Sequence, residues 1–164
     1  MTTRAAPTPQ ELLVLQHVDR EGPGVIATLA RERGMVMRTI RPDRGEPLPD
    51  PASGTNTIAL VLGGPMGVND RHEAGMAWLQ RELDWLSTWH HQKRPVIGIC
   101  LGSQLLAAAS DGSVEPLRVG HPSAPLKEVG FGAIHWWTTP EEEPLLRGLH
   151  PSETVLHWHG DRVR

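Results

Sequence analysis

Four short apolar runs, each followed by a helical pattern or a glycine-rich turn, constrain this chain more than any other feature. They are Leu12 to Val18, Met35 to Ile40, Thr57 to Leu62 and Val96 to Ile99. They are nearly continuous in apolar character and lack the strict alternation of a strand with one wet face, so both sides are expected to be covered. Val25 to Arg33 reads as a helix stopped by Gly34, and a Pro/Gly-rich loop follows from Pro42 to Gly54. A long helix is expected from Glu73 to about His91, with Met76, Leu79, Leu83 and Leu86 on its apolar side. A further helix begins after Gly102 and runs to Ala109. Strands alternating with helices imply parallel pairing through right-handed crossovers. The expected fold class is therefore α/β, a mostly parallel sheet with helices on both faces.

After Gly112 the pattern shortens. Val114 to Val119, Lys127 to Trp137 and Thr154 to Trp158 read as strands, with an acidic helix start at Pro140 to Glu143 ahead of Leu145 and Leu146. This stretch is expected to form a small antiparallel extension rather than a second domain. Residues 1–10 read as a disordered tail and residues 11–164 as one domain.

Charge and composition narrow the functional classes. Sixteen basic against nineteen acidic residues give a net charge of −3 with no basic block, which speaks against a nucleic-acid or acidic-membrane surface. No apolar stretch is long enough to cross a bilayer, and the N-terminus lacks the apolar segment of a signal peptide. A single cysteine excludes an internal disulfide and fits a reducing, cytoplasmic location. Trp78, Trp85 and Trp89 recur near helical spacing, a pattern of core packing.

That cysteine, Cys100, falls between the fourth apolar run and the helix behind it, framed by Gly98 and Gly102. Such a strand–turn–helix elbow projects a side chain into a cleft, and the helix N-terminus behind it favours the reactive thiolate. The alternative for a lone cysteine is a small buried hydrophobe. The Leu101 N–H, at the helix start, suits an oxyanion donor, and Gly64 in the Gly63-Gly64-Pro65 turn after the third run could supply a second; Pro65 has no N–H to give. Gln104, one helical turn beyond Cys100, could meet a polar substrate, or else cap the helix or face solvent.

Gly98-Ile99-Cys100-Leu101-Gly102-Ser103-Gln104, the upstream Leu62-Gly63-Gly64-Pro65-Met66-Gly67 and the late His157-Trp158-His159-Gly160-Asp161 together resemble the class I glutamine amidotransferases. The likeness is to stand-alone proteins similar to the glutaminase domain of GMP synthase. It implies a flavodoxin-like sheet and hydrolysis of the glutamine side-chain amide through a γ-glutamyl thioester on Cys100, with ammonia passed to an acceptor. Gly64 and Leu101 would form the oxyanion hole, and Gln104 and His159 would lie on the substrate side. The resemblance implies no cofactor; L-glutamine or a related γ-glutamyl compound would be the small-molecule partner, with a synthetase or other acceptor enzyme beside it.

The family carries its catalytic His and Glu in a His-Pro-Glu segment beyond the His-Gly-Asp motif. No His-x-Glu occurs in these 164 residues. His72-Glu73 and His150-Pro151-Ser152-Glu153 have the wrong spacing and context. The chain therefore reads as truncated before the second part of the triad. Two further readings stand beside amidotransfer: a cysteine hydrolase of other γ-glutamyl compounds on the same fold, and an inactive relative acting as a binding module. His157 and His159 share one face of a strand, but without a third ligand at sensible spacing no metal site is expected. His17, at the end of the first run, could line the cleft or make a structural hydrogen bond.

Overall fold

The computed structural model describes residues 10–54 and 56–164; the N-terminal tail expected from the sequence lies, apart from Gln10, outside the described residues. The chain forms two compact units, one made of the residues up to Glu115 together with Arg162–Arg164, the other of Pro116–Asp161.

The first unit is built on β1 (Glu11–Leu15), β2 (Val36–Ile40), β3 (Thr57–Val61) and β4 (Val96–Gly98), in the order β2-β1-β3-β4. All pairs are parallel, with Leu13 opposite Arg38 on one side and Ala59 on the other. The order is that of a doubly wound flavodoxin-like sheet, in which ligands meet the carboxyl ends of the strands. Period-two alternation divides the apolar runs between two cores. Leu13, Leu15, Ala59 and Val61 pack beneath α2 (Ala77–His91) and α3 (Leu101–Ala109). Leu12, Val14, Leu60 and Leu62 pack on the opposite face with Ala30 and Ile26 of α1 (Gly24–Glu32). The α/β architecture with helices on both faces is thus present as expected. Gly34 ends α1 with φ +68°, a left-handed position suited to glycine, and its N–H returns to the Arg31 carbonyl at 3.0 Å.

Helix α2 begins at Ala77, four residues later than the sequence suggests. Glu73 is extended and Gly75 has φ +84°, so the backbone leaves helical geometry there; a 3-10 turn occupies Val68–His72 instead. Trp78, Trp85 and Trp89 are all buried on α2, and the indole N–H groups of Trp85 and Trp89 donate to the carbonyls of Pro49 and Pro95. Among the described residues no helix is long and apolar enough to cross a membrane.

The second unit holds an antiparallel hairpin, Glu128–His135 with Ser152–His159, and a short ladder of Arg118–Val119 with Ala124–Pro125. The expected single strand over 114–119 is broken into two pieces, Val114–Pro116 and Arg118–Val119. The expected helix start at Pro140 is also absent: Glu143, ahead of Pro144, is extended, and only a 3-10 turn forms over Pro144–Leu146. A residue preceding proline is driven out of helical geometry, and Pro140 and Pro144 together leave no room for a first turn.

Candidate active site

Cys100 is the N-cap of α3 with φ +53° and ψ −114°, a backbone conformation strained for any side-chain-bearing residue. The strain is enforced by close packing of the elbow. A Cβ on Gly98 would lie 2.6 Å from the Gly102 carbonyl oxygen, and one on Gly102 would overlap the carbonyl of Val61 in β3. Only glycines let β4, the turn and α3 approach this closely. The elbow is pinned by Ile99 N–H to Val61 O at 2.9 Å and by the Cys100 carbonyl, which accepts the N–H groups of Ser103 and Gln104 at 3.0 and 3.2 Å. The Cys100 side chain is exposed rather than buried, so it is not a packing hydrophobe. The Leu101 N–H is the first of the helix's four donors without an intrahelical acceptor.

The turn after β3 lies against this elbow. An added Cβ at Gly63 would sit 3.4 Å from the Cys100 Cβ, and one at Gly64 would sit 3.2 Å from the Leu101 side chain. The structure therefore brings Cys100, Gly64 and Leu101 together, with Gln104 one turn along α3. Gln104 is only 8% exposed, which removes the solvent-facing alternative.

Behind the turn stands His17, just past β1 and 1% exposed. Its Nδ1 is 3.0 Å from the Gly63 carbonyl oxygen, and its Nε2 is 3.0 and 3.1 Å from the two carboxylate oxygens of Glu82 on α2. Trp78 stacks on its ring with centroids 5.4 Å apart. Burial, the largest influence, pushes the imidazole pKa down. The hydrogen bond and charge of Glu82, with the Gly63 carbonyl and Asp43, outweigh it and leave the pKa raised. Both ring nitrogens face acceptors, an arrangement that a doubly protonated ring satisfies. Of the two roles open to His17 in the sequence, the structural hydrogen bond is the one realised.

Glu82 is a residue of this site that sequence reasoning misses, although a signal for it exists. It lies between Leu79 and Leu86 at helical spacing, on the same buried side as the tryptophans, and an acidic residue at such a position requires a buried partner.

His159 belongs to the second unit. Its Nδ1 is 2.9 Å from the Asp161 carbonyl, and its Nε2 is 3.0 Å from Glu128, which sits opposite it in the hairpin register. His157 lies 3.8 Å from the same carboxylate. Sequence spacing offers no third ligand beside these histidines; the hairpin supplies one, because pairing rather than spacing places Glu128 there. Among the described residues these three side chains form the group that could hold a metal ion.

The family model described as glutamine amidotransferase class I matches residues 25–164. A glutamine amidotransferase-like protein of Salmonella typhimurium, YfeJ, is 31% identical over 146 residues, spanning 88% of this chain and 58% of that protein. One subunit of a glutamine-hydrolyzing GMP synthase from Ignicoccus hospitalis is 31% identical over 116 residues, 71% of this chain and 52% of its own length. Among solved structures, a glutamine amidotransferase from Thermotoga maritima superposes with a TM-score of 0.80 at 24% identity, over 96% of this chain and 63% of its own. One from Methylobacillus flagellatus gives 0.77 at 26%, over 96% and 58%. The chain thus spans between half and two thirds of the length of these relatives. On the family match and the shared fold, the chain belongs to the class I glutamine amidotransferases.

Proposed function

We propose that this chain carries the nucleophile side of a glutamine amidotransferase site, acting on the side-chain amide of L-glutamine. The observation that carries the reading is the strained elbow, which holds the exposed Cys100 thiol beside the Gly63-Gly64 turn and the first N–H of α3. A strained residue persists where the surroundings over-determine it, and nucleophile elbows are one such place.

In the proposed reaction the Cys100 sulfur attacks the amide carbon of glutamine. The carbonyl π electrons move to oxygen, and the N–H groups of Gly64 and Leu101 stabilise the resulting oxyanion. The carbon–nitrogen bond then breaks, the nitrogen takes up a proton and leaves as ammonia, and a γ-glutamyl thioester remains on Cys100. Water cleaves that thioester to glutamate and restores the thiol. Gln104 serves the substrate side, as the family resemblance implies. The base that moves these protons is not assigned to any residue of this chain. Ammonia goes to an acceptor enzyme, a role consistent with likeness to one component of a GMP synthase, and a reducing cytoplasm suits a thiol nucleophile. Residues 11–164 are read as one functional domain.

The test is covalent labelling with 6-diazo-5-oxo-L-norleucine, a glutamine-like electrophile, followed by peptide mass mapping. A single adduct on Cys100, suppressed by excess L-glutamine, is expected. A folded sample that labels no faster than glutathione, or labels equally with and without glutamine, sinks the reading.

A further inference from the structure

The loop after β3 poses a mechanical question. The Gly63–Gly64 peptide is flanked by two glycines, so rotating it end over end meets little steric resistance. Yet its orientation decides what faces the nucleophile. In one orientation the Gly64 N–H is offered to an oxyanion; in the other the Gly63 carbonyl oxygen takes that place and repels it. A site of this kind needs an anchor on the far side of the peptide.

The buried histidine supplies one. The peptide is trans, so the Gly63 carbonyl and the Gly64 N–H point in opposite directions. The carbonyl is directed at His17 Nδ1, 3.0 Å away, which turns the Gly64 N–H out of the His17 pocket. We propose that the buried His17–Glu82 pair is the positioning device of the oxyanion site, with His17 donating to the Gly63 carbonyl and so keeping the Gly64 N–H presented on the nucleophile's side. The inference rests on the acyl-transfer reading above and adds to it two positioning residues, neither of which touches substrate.

Beside an ionised Glu82 the ring must be doubly protonated to do this. A neutral imidazole owns one ring proton and can satisfy Glu82 or Gly63, not both. Glu82 holds a proton on Nε2 and supports the positive ring, which leaves a second proton on Nδ1 for the carbonyl; burial of both side chains and the Trp78 stack keep the geometry fixed. Replacing His17 by phenylalanine removes the donor to the Gly63 carbonyl, whereas Glu82→Gln can turn its amide N–H toward Nε2 and leave Nδ1–H on that carbonyl. Without that donor the Gly63 carbonyl loses its anchor, and the peptide is free to turn.

The experiment uses the full chain with the γ-ethyl thioester of L-glutamate. Cys100 sulfur bonds to the γ-carbon, the bond to ethanethiolate breaks, and the thiolate takes its proton from water, so no protein acid is required. Acylation is followed by intact mass, and alkylation of Cys100 by iodoacetamide, which forms no oxyanion, is the control. His17→Phe should slow acylation by about 100-fold, the low end of what losing one oxyanion donor does, while alkylation stays within about twofold of wild type by the same logic. Since breaking one side of a buried pair endangers folding, the double variant His17→Phe/Glu82→Met, which replaces both partners by apolar groups, accompanies it. It should show the same selective loss. Wild-type acylation rates in folded variants overturn the proposal. A crystal structure of the double variant reads the peptide directly: a turned Gly63–Gly64 peptide together with slowed acylation upholds the positioning role, and an unchanged peptide overturns it. Wild type acylated no faster than glutathione sinks the acyl-transfer reading alone, and the peptide orientation still decides the positioning role.

Discussion

Replacing Cys100 by glycine should make the protein more stable than replacing it by alanine, an inversion of the usual order. At φ +53° and ψ −114° a Cβ is strained whether the residue is cysteine or alanine, and only glycine relieves it. Strain of this kind is worth about 1–3 kcal/mol. Against it stands the extra chain entropy that glycine loses on folding, roughly 0.5–1 kcal/mol relative to alanine. The cysteine side chain is exposed, so either truncation forfeits little buried surface. The balance leaves Cys100→Gly ahead of Cys100→Ala by about 1 kcal/mol, which for 164 residues raises the melting temperature by about 2–4 °C. Urea titrations and thermal melts of the two variants read this difference without reference to activity. Equal stability, or alanine ahead of glycine, would refute the claim that the elbow holds its nucleophile under strain.

Other consequences follow from the same packing. Gly102→Ala drives a Cβ into the Val61 carbonyl and should cost at least the ~1–3 kcal/mol of an overpacked core site; urea denaturation should show it, with Cys100 labelling lost in the folded fraction. Trp89→Ala, at the centre of the α2 core, should cost about 3–5 kcal/mol by the same measurement, whereas the exposed Phe131 should tolerate alanine within about 0.5 kcal/mol. The stability difference between wild type and the His17→Phe/Glu82→Met variant should depend on pH. His17 binds its proton more tightly folded than unfolded, so its contribution is full below about pH 6.5 and falls as pH rises through the raised folded value. The charged groups facing it are Glu82 from α2 and Asp43 from the turn after β2, the latter paired with Arg41. A difference that grows with rising pH above neutrality would contradict the doubly protonated ring.

Much of this structure is written locally. The β1 and β3 strands are apolar runs because both faces are covered, and Gly34 ends α1 where a left-handed residue is needed; both features are visible in one stretch of sequence. The elbow is equally local, since Gly98, Cys100 and Gly102 lie within five residues and their types announce a tight turn. Where the sequence reading fails, the cause is pairwise. The start of α2 shifts because the backbone at Gly75 turns left-handed, a choice made by the packing of the preceding 3-10 turn. The hairpin sets Glu128 opposite His159 through strand register, which no spacing along the chain encodes.

The His17–Glu82 pair shows why such pairs are hard to read. Each partner alone looks unremarkable: a histidine at a strand end, a glutamate on a charged helix. Each becomes informative only when burial is known. The Glu82 carboxylate faces the interior on the apolar side of α2, and burying a lone carboxylate there is prohibitive without a cation. The only described group within hydrogen-bond reach that can serve is the His17 ring. Once that ring is charged, its other nitrogen must also donate, and the acceptor it finds is the Gly63 carbonyl. A buried acid on one helix is therefore linked through one ring to a peptide on a different strand end. The glycines that make the turn passable also leave it loose, and on the proposed reading the buried pair behind them holds it in one orientation.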